Sequence, residues 1–147
     1  MTLRDLATCP AVTCAPATSV AHAARLMADE NIGFLAVVAD DGKPVGVLTD
    51  RDIVIRAVAW GRYRAATVGE VMTRHPVCVR EQGAVADAAR LMADRLCRRL
   101  VVTDEAGRIV GILSVDDLLR VAGTELAEIA RTVRGTHGSY VYLDPDE

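Results

Sequence analysis

GVLTDRDIVIRAV (46–58) and GILSVDDLLRVAG (111–123) are the two segments that decide how this chain of 147 residues is organised. Each begins with glycine and two apolar residues, then places a hydroxyl and a carboxylate three residues apart before an apolar pattern resumes. A hydroxyl followed three residues later by an acidic residue is typical of a helix N-terminus. Each segment therefore predicts a buried strand that runs directly into a half-buried helix.

The two segments belong to a tandem repeat with an offset of 65 residues. Residues 20–57 align with residues 85–122 without a gap, with 17 identities in 38 positions. Upstream, Pro10 falls opposite His75 rather than Pro76, which indicates that one residue has been gained or lost there. Internal similarity of this length indicates two copies of one structural unit.

Each copy has the pattern of a β-α-β-β-α unit. For the first copy we expect strands and helices, in that order, at 12–14, 19–31, 34–38, 45–48 and 50–58. For the second copy we expect them at 77–79, 84–96, 100–103, 109–113 and 115–121, with a separate extra helix at 124–134.

One such unit cannot cover both faces of its own three-stranded sheet. We therefore expect an α/β (α+β) fold in which two repeats, related by a pseudo-twofold axis, pack sheet to sheet. The predicted divisions are a first repeat, a connector, a second repeat, and a C-terminal helix and tail, at 1–60, 61–70, 71–123 and 124–147.

Composition excludes several classes of function. The chain is 51% hydrophobic and 25% charged with a net charge of −3, which is ordinary for a globular protein. Only 3% of the residues are aromatic, so platforms for stacking nucleic-acid bases are missing. No apolar run reaches the roughly 18 residues of a membrane span, and the N-terminus lacks a signal-peptide pattern. We expect a cytoplasmic protein that binds neither nucleic acid nor membranes.

The four cysteines carry no clear chemistry. Cys9, Cys14, Cys78 and Cys97 do not have the paired spacing of a zinc site, and cytoplasmic thiols stay reduced. We expect buried, unreactive side chains and no metal, with a redox role for Cys9 and Cys14 left open.

Two explanations fit the repeated strand-to-helix junction. Helix capping alone accounts for Thr49 with Asp52 and for Ser114 with Asp117. Capping does not require the glycine that precedes each pair, however. A carboxylate at a helix start can also accept two hydrogen bonds from a diol, with a small hydroxyl beside it reaching a sugar or phosphate. Both explanations remain open at this point.

The repeated motifs resemble those of the CBS-domain pair. They are a proline-led opening, an alanine-rich helix, a hairpin with adjacent valines and a glycine turn, and G-apolar-apolar-T/S-x-x-D, over about residues 5–123. The resemblance implies a regulatory module that binds AMP, ADP, ATP, S-adenosylmethionine or NADH in two clefts between the repeats. It implies no required cofactor, a homodimer formed through the helices, and a regulated partner on a separate chain.

The resemblance also assigns roles to individual residues. Asp52 would bind the ribose diol of one ligand with Thr49 beside it, and Asp117 and Ser114 would do so in the other cleft. The segment that opens one repeat lines the cleft of the other repeat's aspartate in this family. The residues expected to hold adenine through backbone groups and apolar contacts are therefore Thr73 and Val77 for the Asp52 cleft, and Thr8 and Val12 for the Asp117 cleft.

The two clefts are not predicted to be equivalent. Members of the family often carry a phosphate-binding basic residue where this chain has Arg98 and Arg99, although these could equally be a solvated strand end. Between the shared letters of the motif, the first repeat has Arg51 and the second has Asp116. Because Asp116 would repel a phosphate, we hypothesise that the Asp52 cleft binds phosphorylated nucleotides better.

Two other functions were weighed against ligand sensing. A scaffold with empty clefts would act by protein contact alone. A phosphohydrolase would need Mg²⁺ at Asp50, Arg51 and Asp52, and the second repeat weakens that idea because Val115 replaces Asp50. Without a nucleophile–base pairing, we expect no catalytic residues and no enzyme.

Overall fold

The computed structural model of the protein describes residues 1–136. The order β-α-β-β-α is confirmed in both repeats. The first comprises α1 (Leu3–Leu6), β1 (Thr13–Cys14), α2 (Val20–Glu30), β2 (Phe34–Val38), β3 (Pro44–Thr49) and α3 (Asp50–Arg56), followed by a 3₁₀ turn at Val58–Trp60. The second comprises α4 (Val68–Val71), β4 (Thr73–Arg74), β5 (Cys78–Arg80), α5 (Val85–Arg95), β6 (Arg99–Thr103), β7 (Ile109–Ser114) and α6 (Val115–Thr136).

The C-terminal helix differs from the prediction. Instead of a helix at 115–121 followed by a separate one at 124–134, α6 is continuous from Val115 to Thr136. Gly123 does not break it, because one glycine costs a helix only about 1 kcal/mol and strong helix formers lie on both sides. Residues 137–147, which make up most of the predicted tail, lie outside the described residues.

Local signals set the ends of the longer helices. Ser19 caps α2, with its hydroxyl oxygen accepting a hydrogen bond from the backbone N–H of His22 at 3.1 Å. The helix ends at Asn31 in the left-handed conformation, with φ of 52°. Leu96 ends α5 in the same way, with φ of 51°. The two copies therefore share the geometry of the turn that leads into the next strand.

The sheets show that the repeat is free of insertions in its opening segment. Thr13 pairs with Ala36 as Cys78 pairs with Val101, which keeps the offset of 65 residues. Thr8 pairs with Ile112 and Thr73 with Val47, which keeps it as well. The predicted gain or loss of one residue near Pro10 is therefore wrong, because the offset is the same on both sides of that proline.

The repeats exchange their opening segments. The sheet of the first repeat has the order β1-β2-β3-β4, and β4 comes from the second repeat. Conversely, Thr8 of the first repeat bridges to Ile112 in the β5-β6-β7 sheet. Leu3 packs in the core of the second repeat, whereas Val68 and Val71 pack in the core of the first. Each repeat thus completes the other.

The predicted sheet-to-sheet packing is confirmed by strand alternation. Leu35 and Val37 of β2 face the first core, so Ala36 between them points to the opposite side of the sheet. Ala36 is nevertheless fully buried, and its counterpart Val101 in β6 is 1% exposed. The hairpins also touch, since the N–H of Ile109 donates to the carbonyl oxygen of Gly42 at 3.0 Å. The opposing sheet therefore covers these residues.

None of the helices described in residues 1–136 combines the length and apolar character needed to cross a bilayer.

Candidate ligand-binding clefts

Both strand-to-helix junctions form the capping box that the sequence predicts. In the first, the N–H of Asp52 donates to the Thr49 hydroxyl oxygen and the N–H of Thr49 donates to Asp52 Oδ2, both at 3.0 Å. In the second, the N–H of Asp117 donates to Ser114 Oγ at 3.2 Å, and the N–H of Ser114 donates to Asp117 Oδ2 at 2.8 Å. The capping explanation is therefore confirmed.

Capping leaves the other oxygen of each carboxylate for further interactions. Asp52 Oδ1 lies 3.7 Å from Nη2 of Arg56, and Asp117 Oδ1 accepts a hydrogen bond from Nη2 of Arg120. A carboxylate oxygen carries two lone pairs, so these contacts do not use up its capacity. Capping and diol binding are therefore compatible in the same side chain.

The glycine that precedes each junction has a packing role. A β-carbon at Gly46 would lie 2.5 Å from Sδ of Met72 and 2.9 Å from the carbonyl oxygen of Thr73. At Gly111 it would lie 2.5 Å from Sγ of Cys9 and 2.9 Å from the carbonyl oxygen of Thr8. The space that glycine leaves is filled by the opening segment of the other repeat.

A cavity of about 280 Å³ lies beside Asp117. It brings together half of the predicted ligand-binding residues, namely Thr8, Val12, Arg99, Ser114 and Asp117. The lining also includes Asn31, Gly33, Phe34, Ile112 and Asp116. Strands from both sheets contribute, so the cavity lies between the two repeats, where the resemblance predicts a cleft.

The cavity has one cationic side and one anionic side. The Arg99 guanidinium lies 5.5 Å from the ring centroid of Phe34, within the range of a cation–π contact. These two residues occupy equivalent positions in the repeats. Asp117 is 6% exposed and Asp116 is exposed. Arg98 lies elsewhere, in a groove between α5 and α6.

The backbone of Thr8 is already engaged. Its N–H donates to the carbonyl oxygen of Ile112 at 2.9 Å, and its carbonyl accepts from the N–H of Ile112 at 3.1 Å. The expectation that Thr8 holds adenine through these groups therefore needs revision. Its side chain lines the cavity, and Val12 supplies an apolar wall.

The surroundings of Asp52 are different. Arg56 Nη1 donates to the carbonyl oxygen of Val71 at 2.9 Å and to the Thr73 hydroxyl at 3.3 Å. Thr49, Asp52 and Thr73 are therefore linked through one another and through this guanidinium. Of the other predicted residues, Val77 packs against the second core and Arg51 is exposed.

Sequence reasoning missed the two arginines that pair with the aspartates. Arg56 follows Asp52 by four residues and Arg120 follows Asp117 by three. Both spacings place side chains on the same face of a helix. That periodicity was the available signal for them.

The cysteines are free thiols. Burial raises the pKa of the Cys14 thiol to about 11, and it raises the pKa of Cys78 as well. The reactive thiolate is therefore disfavoured at both. Across residues 1–136, no group of three or more His, Cys, Asp or Glu side chains is placed to hold a metal ion.

Comparison with known proteins identifies relatives of several lengths. The chain is 37% identical over 116 residues to the CBS domain-containing protein YhcV of Bacillus subtilis, covering 79% of this chain and 81% of that protein. It is 29% identical over 124 residues to the uncharacterised protein MK0525 of Methanopyrus kandleri, covering 84% of this chain and 63% of that protein. The inosine-5'-monophosphate dehydrogenase of Mycobacterium bovis is 34% identical over 117 residues, 79% of this chain but only 21% of the enzyme.

Solved structures share the fold over most of the chain. The CBS domain pair of MJ0100, in complex with 5'-methylthioadenosine and S-adenosyl-L-methionine, has a TM-score of 0.76 and 30% identity, covering 85% of this chain and 98% of that one. CBSX2 in complex with AMP has a TM-score of 0.72 and 30% identity, covering 84% and 96%. The CBS domain model matches twice, at residues 3–58 and 68–124. The chain therefore belongs to the CBS domain family and contains two CBS repeats.

Proposed function

We propose that this protein is a regulatory module that binds an adenosine-containing ligand in the cavity beside Asp117. The observation that carries the proposal is the convergence of Thr8, Val12, Arg99, Ser114 and Asp117 on one cavity of about 280 Å³ between the repeats. Relatives of similar fold contain AMP, or 5'-methylthioadenosine and S-adenosyl-L-methionine. Chemistry and kinship therefore support the same class of ligand.

The lining suits the parts of an adenosyl ligand. The carboxylate of Asp117 would accept hydrogen bonds from the ribose hydroxyls, because acceptor capacity remains beyond the cap. Val12 and Ile112 would contact the adenine, and Arg99 would approach a phosphate or carboxylate at the rim. Asp116 opposes added negative charge, so fewer phosphates are favoured in this cavity.

The Asp52 cleft remains the predicted second site. The hypothesis that it prefers phosphorylated nucleotides rests on Arg51, which is exposed beside Asp52. Titration calorimetry that shows two equal and independent sites would reject any difference between the clefts.

A thermal-shift panel tests the proposed ligand class. AMP, ADP, ATP, S-adenosylmethionine and NADH would each be added with and without Mg²⁺. A ligand at 100 times its dissociation constant stabilises the folded state by about 2.7 kcal/mol, which raises Tm by several degrees in a domain of this size. We expect at least one such shift.

The matched variants are Asp117→Asn and Asp94→Asn. Asp117→Asn keeps the side-chain shape but removes a charged acceptor at the cavity, and it should reduce the shift by more than half. Asp94 is exposed at the far end of α5, so Asp94→Asn should leave the shift unchanged. Silence with every ligand would favour the scaffold. Phosphate release would favour the Mg²⁺ hydrolase, for which no observation now speaks.

The same proposal includes a homodimer formed through the helices. A groove of about 800 Å³ between α5 and α6 is lined by apolar residues that include Val85, Met92 and Leu118. Along α6, the exposed residues Leu119, Leu126 and Ile129 repeat at spacings typical of a helix that packs against another helix. An apolar face of this extent favours an interface. The regulated partner would be a separate chain.

Charge on this face tests the dimer. We expect the wild-type chain to sediment as a dimer and Leu126→Lys to sediment mainly as a monomer, because a twofold interface would bring two buried cations together. Glu128→Lys places the same side chain on another face of α6 and should leave the dimer intact. A wild-type monomer, or a dimer insensitive to Leu126→Lys, would contradict this part of the proposal.

A further inference from the structure

Arg56 occupies the space between the two halves of the Asp52 cleft. One nitrogen of its guanidinium donates to the carbonyl oxygen of Val71 at 2.9 Å and to the Thr73 hydroxyl at 3.3 Å. The other terminal nitrogen lies 3.7 Å from Asp52 Oδ1. A planar guanidinium can hold several acceptors at fixed positions. It therefore connects the carboxylate predicted to bind ribose with the segment predicted to hold adenine.

The Asp117 cleft has no equivalent connection. Thr8 is the counterpart of Thr73, and it lines the open cavity. The counterpart of Arg56 at the offset of 65 residues is Val121. The arginine in the second repeat is one position earlier, and Arg120 pairs with Asp117 in a separate pocket beside Leu6 and Thr124. Neither Val121 nor Arg120 is among the residues that line the Asp117 cavity.

The substituent at this one helix position separates two otherwise similar clefts. Both contain a capping box with the same four backbone and side-chain groups. Both are completed by the opening segment of the other repeat, at Thr73 in one case and at Thr8 in the other. The helix that follows the cap carries Arg56 towards Thr73 in the first repeat only.

We propose that Arg56 is a latch that determines how many ligands the protein binds. An adenosyl ligand enters the Asp117 cleft directly, whereas the Asp52 cleft opens only when Arg56 releases Val71 and Thr73. The apparent affinity of the Asp52 cleft is then reduced by the fraction of time for which it is open. This inference rests on the proposed function, because it concerns the second site for the same class of ligand.

Titration calorimetry with AMP tests the latch. The variant is Arg56→Met, which keeps an unbranched side chain and a high helix propensity but removes the hydrogen-bond donors. The wild type should bind one AMP per chain. Arg56→Met should bind two, with the added site at least about tenfold tighter than any second binding phase of the wild type.

A matched control separates the latch from a general loss of positive charge. Arg25 is an exposed arginine on α2, so Arg25→Met makes the same chemical change outside both clefts. It should bind one AMP, as the wild type does. Two sites in Arg25→Met, an unchanged stoichiometry in Arg56→Met, or weaker binding in Arg56→Met would each overturn the latch. The last result would mean that Arg56 holds the ligand instead.

Two further variants keep the inference separate from the proposed function. Asp117→Asn alone should bind little AMP, whereas Asp117→Asn combined with Arg56→Met should bind one AMP in the Asp52 cleft. If the wild type binds one AMP and Asp117→Asn abolishes it, but the double variant binds none, the latch fails and the proposed function survives. If neither wild type nor variants bind AMP, and the thermal panel is silent, both fail. Should Arg56→Met not fold, Arg56→Gln serves as the test, because its shorter amide cannot span from Asp52 to Val71.

Discussion

The two repeats have nearly the same fold and the same capping geometry, yet their clefts are left in different states. At the first junction, Arg56 ties Asp52 to the crossing segment at Thr73. At the second, a cavity of about 280 Å³ remains open beside Asp117. The shared motif therefore fixes the position of the carboxylate, while a residue outside the motif decides whether the carboxylate can be reached.

The crossing segments differ in how they are attached. The segment from the second repeat forms a true strand, with Gly46 paired to Arg74 and Val47 to Thr73. The segment from the first repeat makes a single bridge, between Thr8 and Ile112. The cavity beside Asp117 is therefore bordered by the less extensively paired of the two segments. This agrees with a cleft that admits a ligand without a latch.

The largest expected effect comes from the anchors of the crossing segments. Leu3 is 1% exposed in the core of the second repeat, and its counterpart Val68 is fully buried in the first. Leu3→Ala should lower the free energy of unfolding by about 2–5 kcal/mol. Val68→Ala should lower it by about 1.6 kcal/mol for two lost carbon groups, plus a cavity term. Urea unfolding followed by circular dichroism measures both.

The same experiment tests whether the exchange joins the repeats into one unit. Because each anchor lies in the core of the other repeat, both variants should keep a single transition at a lower urea concentration. Val58→Ala removes the same atoms as Val68→Ala from a half-exposed side chain and should change the free energy by at most about 0.5 kcal/mol. Separate transitions for the two repeats in Leu3→Ala would show that the exchange does not couple them.

Most of the fold could be predicted because it is repeated. The hydrophobic periodicity and turn residues of each β-α-β-β-α unit are local signals, and the second copy checks the first. The exchange of opening segments was not predicted, because pairing between Thr73 and Val47 joins residues far apart in sequence. The break expected in α6 was wrong for a related reason: a single glycine is a weak helix breaker.

The candidate site could be predicted only in part. The capping groups follow directly from the spacing of Ser114 and Asp117, and the resemblance supplied Thr8, Val12 and Arg99, which all line the cavity. The pairing of Arg99 with Phe34 was missed because it forms between equivalent positions of the two repeats. Arg56 was missed because its importance depends on what crosses above Asp52.

A smaller effect is expected where the glycines meet the crossing segments. Gly46 and Gly111 do not have positive φ values, so glycine is needed there for close approach rather than for an unusual backbone. At Gly46 an added methyl group would meet Sδ of Met72, which is itself only 8% exposed and has little room to move. Gly46→Ala should therefore destabilise the fold by about 1–3 kcal/mol, measured by urea unfolding.

Gly111→Ala should cost less stability than Gly46→Ala but more ligand affinity. The nearest atom to the added methyl group is Sγ of Cys9, which is exposed and can turn away, so strain at the side chain is relieved more easily. The carbonyl oxygen of Thr8 would lie 2.9 Å away and cannot be relieved without moving the segment that lines the Asp117 cavity. Gly111→Ala should therefore weaken AMP binding several-fold in titration calorimetry while Gly46→Ala leaves the Asp117 site intact. Equal weakening by both variants would mean that the affinity follows overall stability, and that the position of Thr8 is not what distinguishes the open cleft.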